Sequence, residues 1–283
     1  MRVLVTGAAG QLGVDVVRSW AEAGDGVVGL DRSMLDVADR AAVLRVVDEL
    51  RPDVVVNCAA WTAVDACEAD PDRAMVANAD AVAHLVEACD AVSARLVHIS
   101  TDYVFDGTLD RPYREDDTPN PQSVYGRSKL AGEAAALELG ERAVVVRTSW
   151  VCGVHGSNMV KTVLRLAAER PELAFVDDQI GHPTFTQDLA PLLRRMVEHG
   201  LHGVVHATNQ GAVSWFEFAR EVVAAAGRDP AMVRPIATSD LQPPRPAPRP
   251  ANSVLENRLL ASAGIPLLRH HREALVETVA ALR

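Results

Sequence analysis

The stretch Arg2-Val3-Leu4-Val5-Thr6-Gly7-Ala8-Ala9-Gly10-Gln11-Leu12-Gly13 decides the fold. Its first half is a short apolar run, which fits a strand covered on both faces. Leu12, Val16 and Trp20 then recur at four-residue spacing and mark a helix. Between strand and helix lie three glycines, Gly7, Gly10 and Gly13. Glycines permit a tight turn and let the backbone approach a pyrophosphate, while the helix start offers free N–H groups and a positive dipole end. The spacing is G-x-x-G-x-x-G rather than G-x-G-x-x-G, and glycine turns also serve as plain connectors. Its place at the first strand–helix junction makes a dinucleotide site the expected use.

Working outward, strand and helix signals alternate. Gly26–Asp31, Asp53–Cys58, Arg95–Ser100 and Ala143–Arg147 read as strands. Helices are expected around Val43–Leu50, Asp72–Ala91 and Val124–Leu139. This order predicts an α/β protein with a doubly wound, parallel, Rossmann-type sheet. Beyond Trp150 the pattern loosens. Helices are expected over Asn158–Arg170, Thr186–Glu198 and Arg272–Leu282, with strands at Leu173–Val176 and Val204–Ala207. Ser214 and Glu217 form a capping box that starts another helix. Pro243–Pro250 (PPRPAPRP) is too proline-dense for helix interior or central strand, and reads as a linker or ordered loop. The expected division is a nucleotide-binding domain over 1–152, with return segments near 173–210, and a smaller C-terminal α/β substrate lobe over 153–283.

Composition narrows the partners. Of 283 residues, 48% are hydrophobic, enough to bury a sizeable core. The formal net charge of -10 disfavours nucleic acid and anionic membranes at long range, so a small molecule is the expected partner. No stretch approaches the roughly 18 apolar residues of a membrane span, and no signal peptide is read, so a cytoplasmic location is expected. Cys58, Cys67, Cys89 and Cys152 include no C-x-x-C pair, and no metal site is expected.

Asp31 closes the second strand, where a carboxylate accepts ribose hydroxyls and favours NAD. Arg32 follows at once, and a cation there suits the 2′-phosphate of NADP. Both cofactors stay open on these two residues. Asp36 and Val37 are candidate neighbours of the adenine. Ala59 and Ala60 end the third strand, where small residues admit a nicotinamide ribose, although ordinary helix–sheet packing asks for the same residues.

The catalytic signal is Tyr125-Gly126-Arg127-Ser128-Lys129. Tyr and Lys four apart share a helix face. A phenol with a pKa of about 10 is a poor proton donor–acceptor at neutral pH, and a neighbouring ammonium lowers it. Y-x-x-x-K alone is common on solvated helices. Here it follows Ser100-Thr101, a hydroxyl pair at the C-terminal end of a strand, where open α/β sheets place ligands.

These residues resemble the extended short-chain dehydrogenase/reductases. Ser100–Gly107 (STDYVFDG), Tyr125–Glu133 (YGRSKLAGE), Arg147–Val151 (RTSWV), Gly181–Ala190 (GHPTFTQDLA) and Arg249–Leu255 (RPANSVL) are similar to the dTDP-4-dehydrorhamnose reductases within that group. The resemblance spans nearly the whole chain. It implies reduction of the C4 keto group of a dTDP-linked 4-keto-6-deoxy sugar, with NADPH as cofactor and NADH possible. It implies Tyr125 as proton donor, Lys129 as its pKa-lowering neighbour and Thr101 as the group orienting the keto oxygen. Gly7, Gly10, Gln11, Leu12, Gly13, Asp31, Arg32, Asp36, Val37, Ala59, Ala60, Trp61, Thr62 and Ser100 would line the cofactor site with Tyr125 and Lys129. Asp102, Tyr103, Trp150 and Arg249 would contact the sugar nucleotide with Thr101. Cys152 departs from the aromatic residue that many members carry there. Some members dimerise through metal-bridged carboxylates. Asp15 suits that role but its partners find no match, so a monomer or homodimer without metal is expected.

Three rivals bound this reading. Dehydratases of the group carry an acidic pair directly after the catalytic Thr, whereas here Asp102 is followed by Tyr103. A non-catalytic regulatory subunit would bind dinucleotide without turnover, which the intact Thr101, Tyr125 and Lys129 argue against. A reductase of another dTDP-4-keto-deoxysugar shares every motif above.

Overall fold

A computed structural model describes all residues, Met1–Arg283. Five strands, β1 (Arg2–Thr6), β2 (Gly26–Leu30), β3 (Val54–Asn57), β4 (Arg95–Thr101) and β5 (Ala143–Thr148), join Gly203–His206 in one parallel sheet. The order across it is Gly203–His206, β5, β4, β3, β1, β2. Chain direction across the sheet therefore reverses between β1 and β3, and the ligand crevice of a doubly wound sheet opens at such a point. Every residue of β3 and β5 is buried, as parallel strands sandwiched between helices require.

Two apolar layers clothe the sheet. On one face α1 (Gln11–Glu22) packs Val16 and Trp20 against Leu189, Leu192 and Leu193 of the Thr186–Glu198 helix. The Trp20 indole donates to the Ala190 carbonyl at 2.9 Å, so even this aromatic leaves no polar group unmet. On the other face α2 (Arg40–Leu50) and the Ala81–Val92 helix bury Val43, Val47, Leu85 and Cys89. A separate core around Val160, Phe185, Phe218, Val222 and Leu275 organises the second lobe, and Cys152 is buried within it.

The return to the large sheet is shorter than a 173–210 segment. Gly203–His206 joins it, but Leu173–Val176 pairs with Val233–Ile236 in a two-stranded sheet of the second lobe. Both segments are short apolar strands, and periodicity carries no information on which neighbour each takes.

The helix expected over 72–91 is also broken. Val64–Ala69 is followed by Pro71–Met75, a π-helical turn at Val76–Asp80, and then Ala81–Val92. Asp70 restarts the chain by accepting from Arg73 N–H at 3.1 Å, with Pro71 at the first helical position. The π turn has a local consequence at the crevice. No helix in the structure is long and apolar enough to cross a membrane.

Candidate active site

The crevice begins at the glycine turn. Gly7 has φ +66°, and a Cβ there would stand 2.7 Å from the Ala59 backbone nitrogen, so the first turn fits closely against the end of β3. The start of α1 has neither a side-chain cap nor an acidic residue in its first turn. Its N–H groups are thus left for an anionic ligand, the arrangement that a pyrophosphate needs. The cleft beside it has a volume of about 330 Å³, within the range of small-molecule sites. Gly7, Gly10, Asp31, Arg32, Asp36, Val37, Ala59, Ala60 and Trp61 all line it.

Five expected cofactor residues, Gln11, Leu12, Gly13, Thr62 and Ser100, do not line the cleft, although the first three begin α1 and own the N–H groups just described. Leu12 is buried in the core under the sheet. Gln11 accepts from Asn158 Nδ2 at 2.9 Å and so braces the glycine turn against the second lobe. Thr62 is exposed beyond the cleft. Ser100 turns its hydroxyl away to donate to Glu133, which also takes the Arg147 guanidinium at 2.9 and 2.7 Å. Alternation along β4 explains this, because Ser100 and Thr101 must face opposite sides. Gly13 lies in α1, where a Cβ would meet the Gly7 carbonyl oxygen at 2.2 Å, so it shapes the turn without lining the cleft.

Two residues that no motif flagged complete the cleft. Arg73 lines it and places its guanidinium over the Trp61 ring at 4.4 Å, a cation–π contact at the rim. Asn78, on the π turn, fixes the same loop from below. Its Oδ1 accepts from Trp61 N–H at 2.8 Å, and its Nδ2 donates to the Trp61 carbonyl at 3.1 Å and to Ser128 Oγ at 3.0 Å. The cofactor loop and the Val124–Leu137 helix are therefore clamped by one amide.

At the adenosine end, Asp31 Oδ1 accepts from Ser33 N–H at 2.8 Å and Ser33 Oγ at 2.6 Å. Half of this carboxylate is engaged by its own turn. Arg32 is exposed and touches Asp36 only at 3.5 Å. The cation is the freer of the two.

Thr101, Tyr125 and Lys129 meet at the C-terminal end of β4. Ser123 caps the helix that carries Tyr125 and Lys129, accepting from Gly126 N–H at 3.0 Å. A Cβ at Gly126 would lie 2.2 Å from the Tyr103 carbonyl oxygen, so only glycine lets the helix approach this closely. The Tyr103 and Tyr125 rings then pack edge to face with centroids 5.5 Å apart. Burial pushes the Tyr125 phenol above its usual value, and the Thr101 hydroxyl beside it pulls the other way.

Lys129 is buried, and burial lowers its ammonium to about 8. Its Nζ donates to the Ile99 carbonyl at 2.7 Å rather than to the Tyr125 phenol. Asp102 is buried beside Thr101, whose hydroxyl donates to its Oδ1 at 3.0 Å, and burial raises this carboxyl to about 6.

The remaining expected substrate residues form the walls. Tyr103 and Arg249 line one small cavity together with Phe105, Ser123 and Pro250. Arg249 gives both guanidinium arms to Asp65. Trp150, at φ +45°, turns off the end of β5 and stacks on Trp215 at 3.5 Å, against Gly181. Asp15 is buried in α1 and pairs with Arg18 at 2.7 Å.

A parallel sheet with a glycine turn at its switch point, and a Thr–Tyr–Lys set at the strand ends, defines the short-chain dehydrogenase/reductase class of site. The comparisons with known proteins sharpen this. The family model described as the RmlD substrate binding domain matches residues 1–283, and the chain belongs to that family. It is similar to a Streptomyces griseus protein named dTDP-4-dehydrorhamnose reductase, 47% identical over 99% of this chain and 94% of the relative. A Streptomyces niveus protein named dTDP-4-keto-6-deoxy-D-glucose reductase is 42% identical over 98% of this chain and 96% of the relative. The crystal structure of the Bacillus anthracis dTDP-4-dehydrorhamnose reductase in complex with NADP superposes with a TM-score of 0.95 at 37% identity, covering 99% of this chain and 98% of that one.

Proposed function

We propose that the chain reduces the C4 keto group of dTDP-4-dehydro-6-deoxy-L-mannose to give dTDP-L-rhamnose, with NADPH as reductant. The observation that carries this reading is the meeting of Thr101 and Tyr125 beside the glycine-turn cleft, with Tyr103 rather than a second acid after Asp102. The names of the griseus relative and of the NADP-bound anthracis enzyme support it.

When bound, the nicotinamide supplies the hydride. The uncapped start of α1 and Gly7 would hold the dinucleotide's pyrophosphate, and Ala59 and Ala60 would leave room for its nicotinamide ribose. The Thr101 hydroxyl orients the keto oxygen. Tyr125 donates the proton that the developing alkoxide requires, while Lys129 adjusts the acidity of that phenol. Burial of both groups strengthens their interaction with the charge that forms. A location in the cytoplasm, as a monomer or homodimer, goes with this reading.

The niveus relative supports a second reading in which the substrate is another dTDP-4-keto-deoxysugar. Product analysis separates the two. The chain is incubated with NADPH and dTDP-4-keto-6-deoxyglucose, with and without a 3,5-epimerase. A rhamnosyl product that forms only with the epimerase supports the first reading. A reduced sugar formed without it supports the second.

A further inference from the structure

A line of buried polar groups runs from the glycine turn to the catalytic lysine, and its two middle members, Asn57 and His98, belong to none of the motifs above. Thr6, at the end of β1, donates its hydroxyl to Asn57 Oδ1 at 2.7 Å. The Ala59 backbone N–H donates to the same oxygen at 3.1 Å. That backbone donor fixes which way the Asn57 amide points, because the reversed amide would set N–H against N–H. Asn57 Nδ2 therefore faces His98 Nδ1, 3.1 Å away. His98 is fully buried on β4, and its Nε2 lies 3.4 Å from Lys129 Nζ.

The proton positions follow. His98 Nδ1 accepts from the amide and carries no proton. Burial holds the ring well below its ordinary pKa, so the ring is neutral and its proton sits on Nε2. That N–H points at Lys129. An ammonium there meets a donor, whereas a neutral amine accepts the bond.

We propose that His98 is a positioning residue which, locked by Asn57 as the Nε2–H tautomer, favours the neutral amine of Lys129 and keeps this lysine at the edge of titration. The proposal rests on the reductase reading only for its catalytic consequence. The other titratable groups facing Lys129 are Glu133 on its own helix and Cys58 beyond β3, with Tyr125 one helical turn away; Glu133 is itself held by Arg147 of β5. Glu133 and Cys58 favour the ammonium and burial opposes it; the His98 N–H aimed at Nζ from 3.4 Å acts on the side of burial. A lysine poised in this way responds to the charge of Tyr125 instead of standing as a fixed cation.

The test is nuclear magnetic resonance of the intact chain, labelled with 15N on histidine and 13C on lysine. Signals are assigned by their loss in His98→Gln and Lys129→Met. The expected spectrum of the wild type shows His98 with a bare Nδ1 and a protonated Nε2 from pH 6 to 8. A proton on Nδ1, or a charged ring, overturns the proposal without any variant having to fold. In His98→Gln the side-chain oxygen is free to face Nζ, and the Lys129 titration is expected to rise by at least about one pH unit, tenfold in proton affinity. An unchanged titration in the folded variant also overturns it. Neither readout needs turnover, so loss of the substrate assignment leaves both standing. If the chain does reduce keto sugars, the basic limb of its kcat profile moves with the Lys129 titration.

Discussion

Asp65 receives both arms of the Arg249 guanidinium, and with Ala247 N–H it ties the proline-rich segment to the Val64–Ala69 helix. This closes one side of the cavity under Tyr103. A sugar diphosphate arriving there would compete with Asp65 for the same cation. A charge-assisted contact contributes about 1.5–3 kcal/mol. Arg249→Ala is accordingly expected to raise KM for the nucleotide sugar by about tenfold to a hundredfold and to leave KM for NADPH unchanged. Steady-state kinetics with each substrate varied checks this, and an unchanged sugar KM removes Arg249 from the binding site.

Gly126 sets how closely Tyr125 lies under Tyr103. Alanine there would force its Cβ into the Tyr103 carbonyl at 2.2 Å, a backbone contact that cannot rotate away. The Val124–Leu137 helix must then back off, and a displacement near 1 Å at a reacting group costs on the order of 100-fold. Gly126→Ala is expected to lower kcat by about that factor while NADPH binding, followed by fluorescence titration, stays within a few-fold of wild type. A variant with wild-type kcat would show that the approach is not needed.

Arg32 is expected to decide cofactor choice. Because Ser33 already occupies one Asp31 oxygen, the exposed guanidinium is the better-placed partner for a ribose substituent. Arg32→Ala should raise KM for NADPH about tenfold and change KM for NADH little. Equal effects on both cofactors would place the discrimination elsewhere.

Asp102 carries a pH signature. Burial raises its folded pKa to about 6, from an ordinary 3.8. Between those values the folded chain holds a proton that the unfolded chain has lost, so stability falls as pH rises through this window and the full cost is present above about pH 6. Asparagine carries no charge and can still accept from Thr101. Asp102→Asn should therefore gain stability over wild type at pH 7 relative to pH 4, by up to about 3 kcal/mol at roughly 1.4 kcal/mol per pKa unit. Urea unfolding of both proteins at the two pH values measures it. A gain that is the same at both pH values would mean that the carboxyl does not titrate differently on folding.

Much of this site is legible in the sequence because its parts are local. The apolar run Arg2–Thr6 with its glycines, and Tyr125 with Lys129 on one helix face, need only nearest-neighbour geometry. The side chains of Leu12 and Ser100 leave the cleft for reasons that proximity in sequence does not show: one turns into the core with its helix face, the other flips with strand alternation. Arg73 and Asn78 gave no signal, since a charge and an amide in a helical run usually face water. Their roles come from the Asp70 restart and the π turn, which aim them at Trp61. His98 was invisible for a further reason. It lies among the apolar residues Leu96, Val97 and Ile99 of a buried strand, and only the fold brings Asn57 and Lys129 to its two nitrogens.

The central claim, that Tyr125 protonates a sugar ketone during reduction by NADPH, is tested most directly by following NADPH absorbance with the epimerised dTDP-4-keto-6-deoxy sugar for wild type and Tyr125→Phe. General acid catalysis contributes about 10²–10⁴-fold. The expected result is oxidation by the wild type and a loss of at least about 100-fold in the variant, with NADPH affinity retained. Wild-type turnover in Tyr125→Phe would contradict the assignment of the acid. NADPH binding without oxidation, for the wild type and with every keto sugar offered, would instead mark the chain as a dinucleotide-binding protein that performs no reduction.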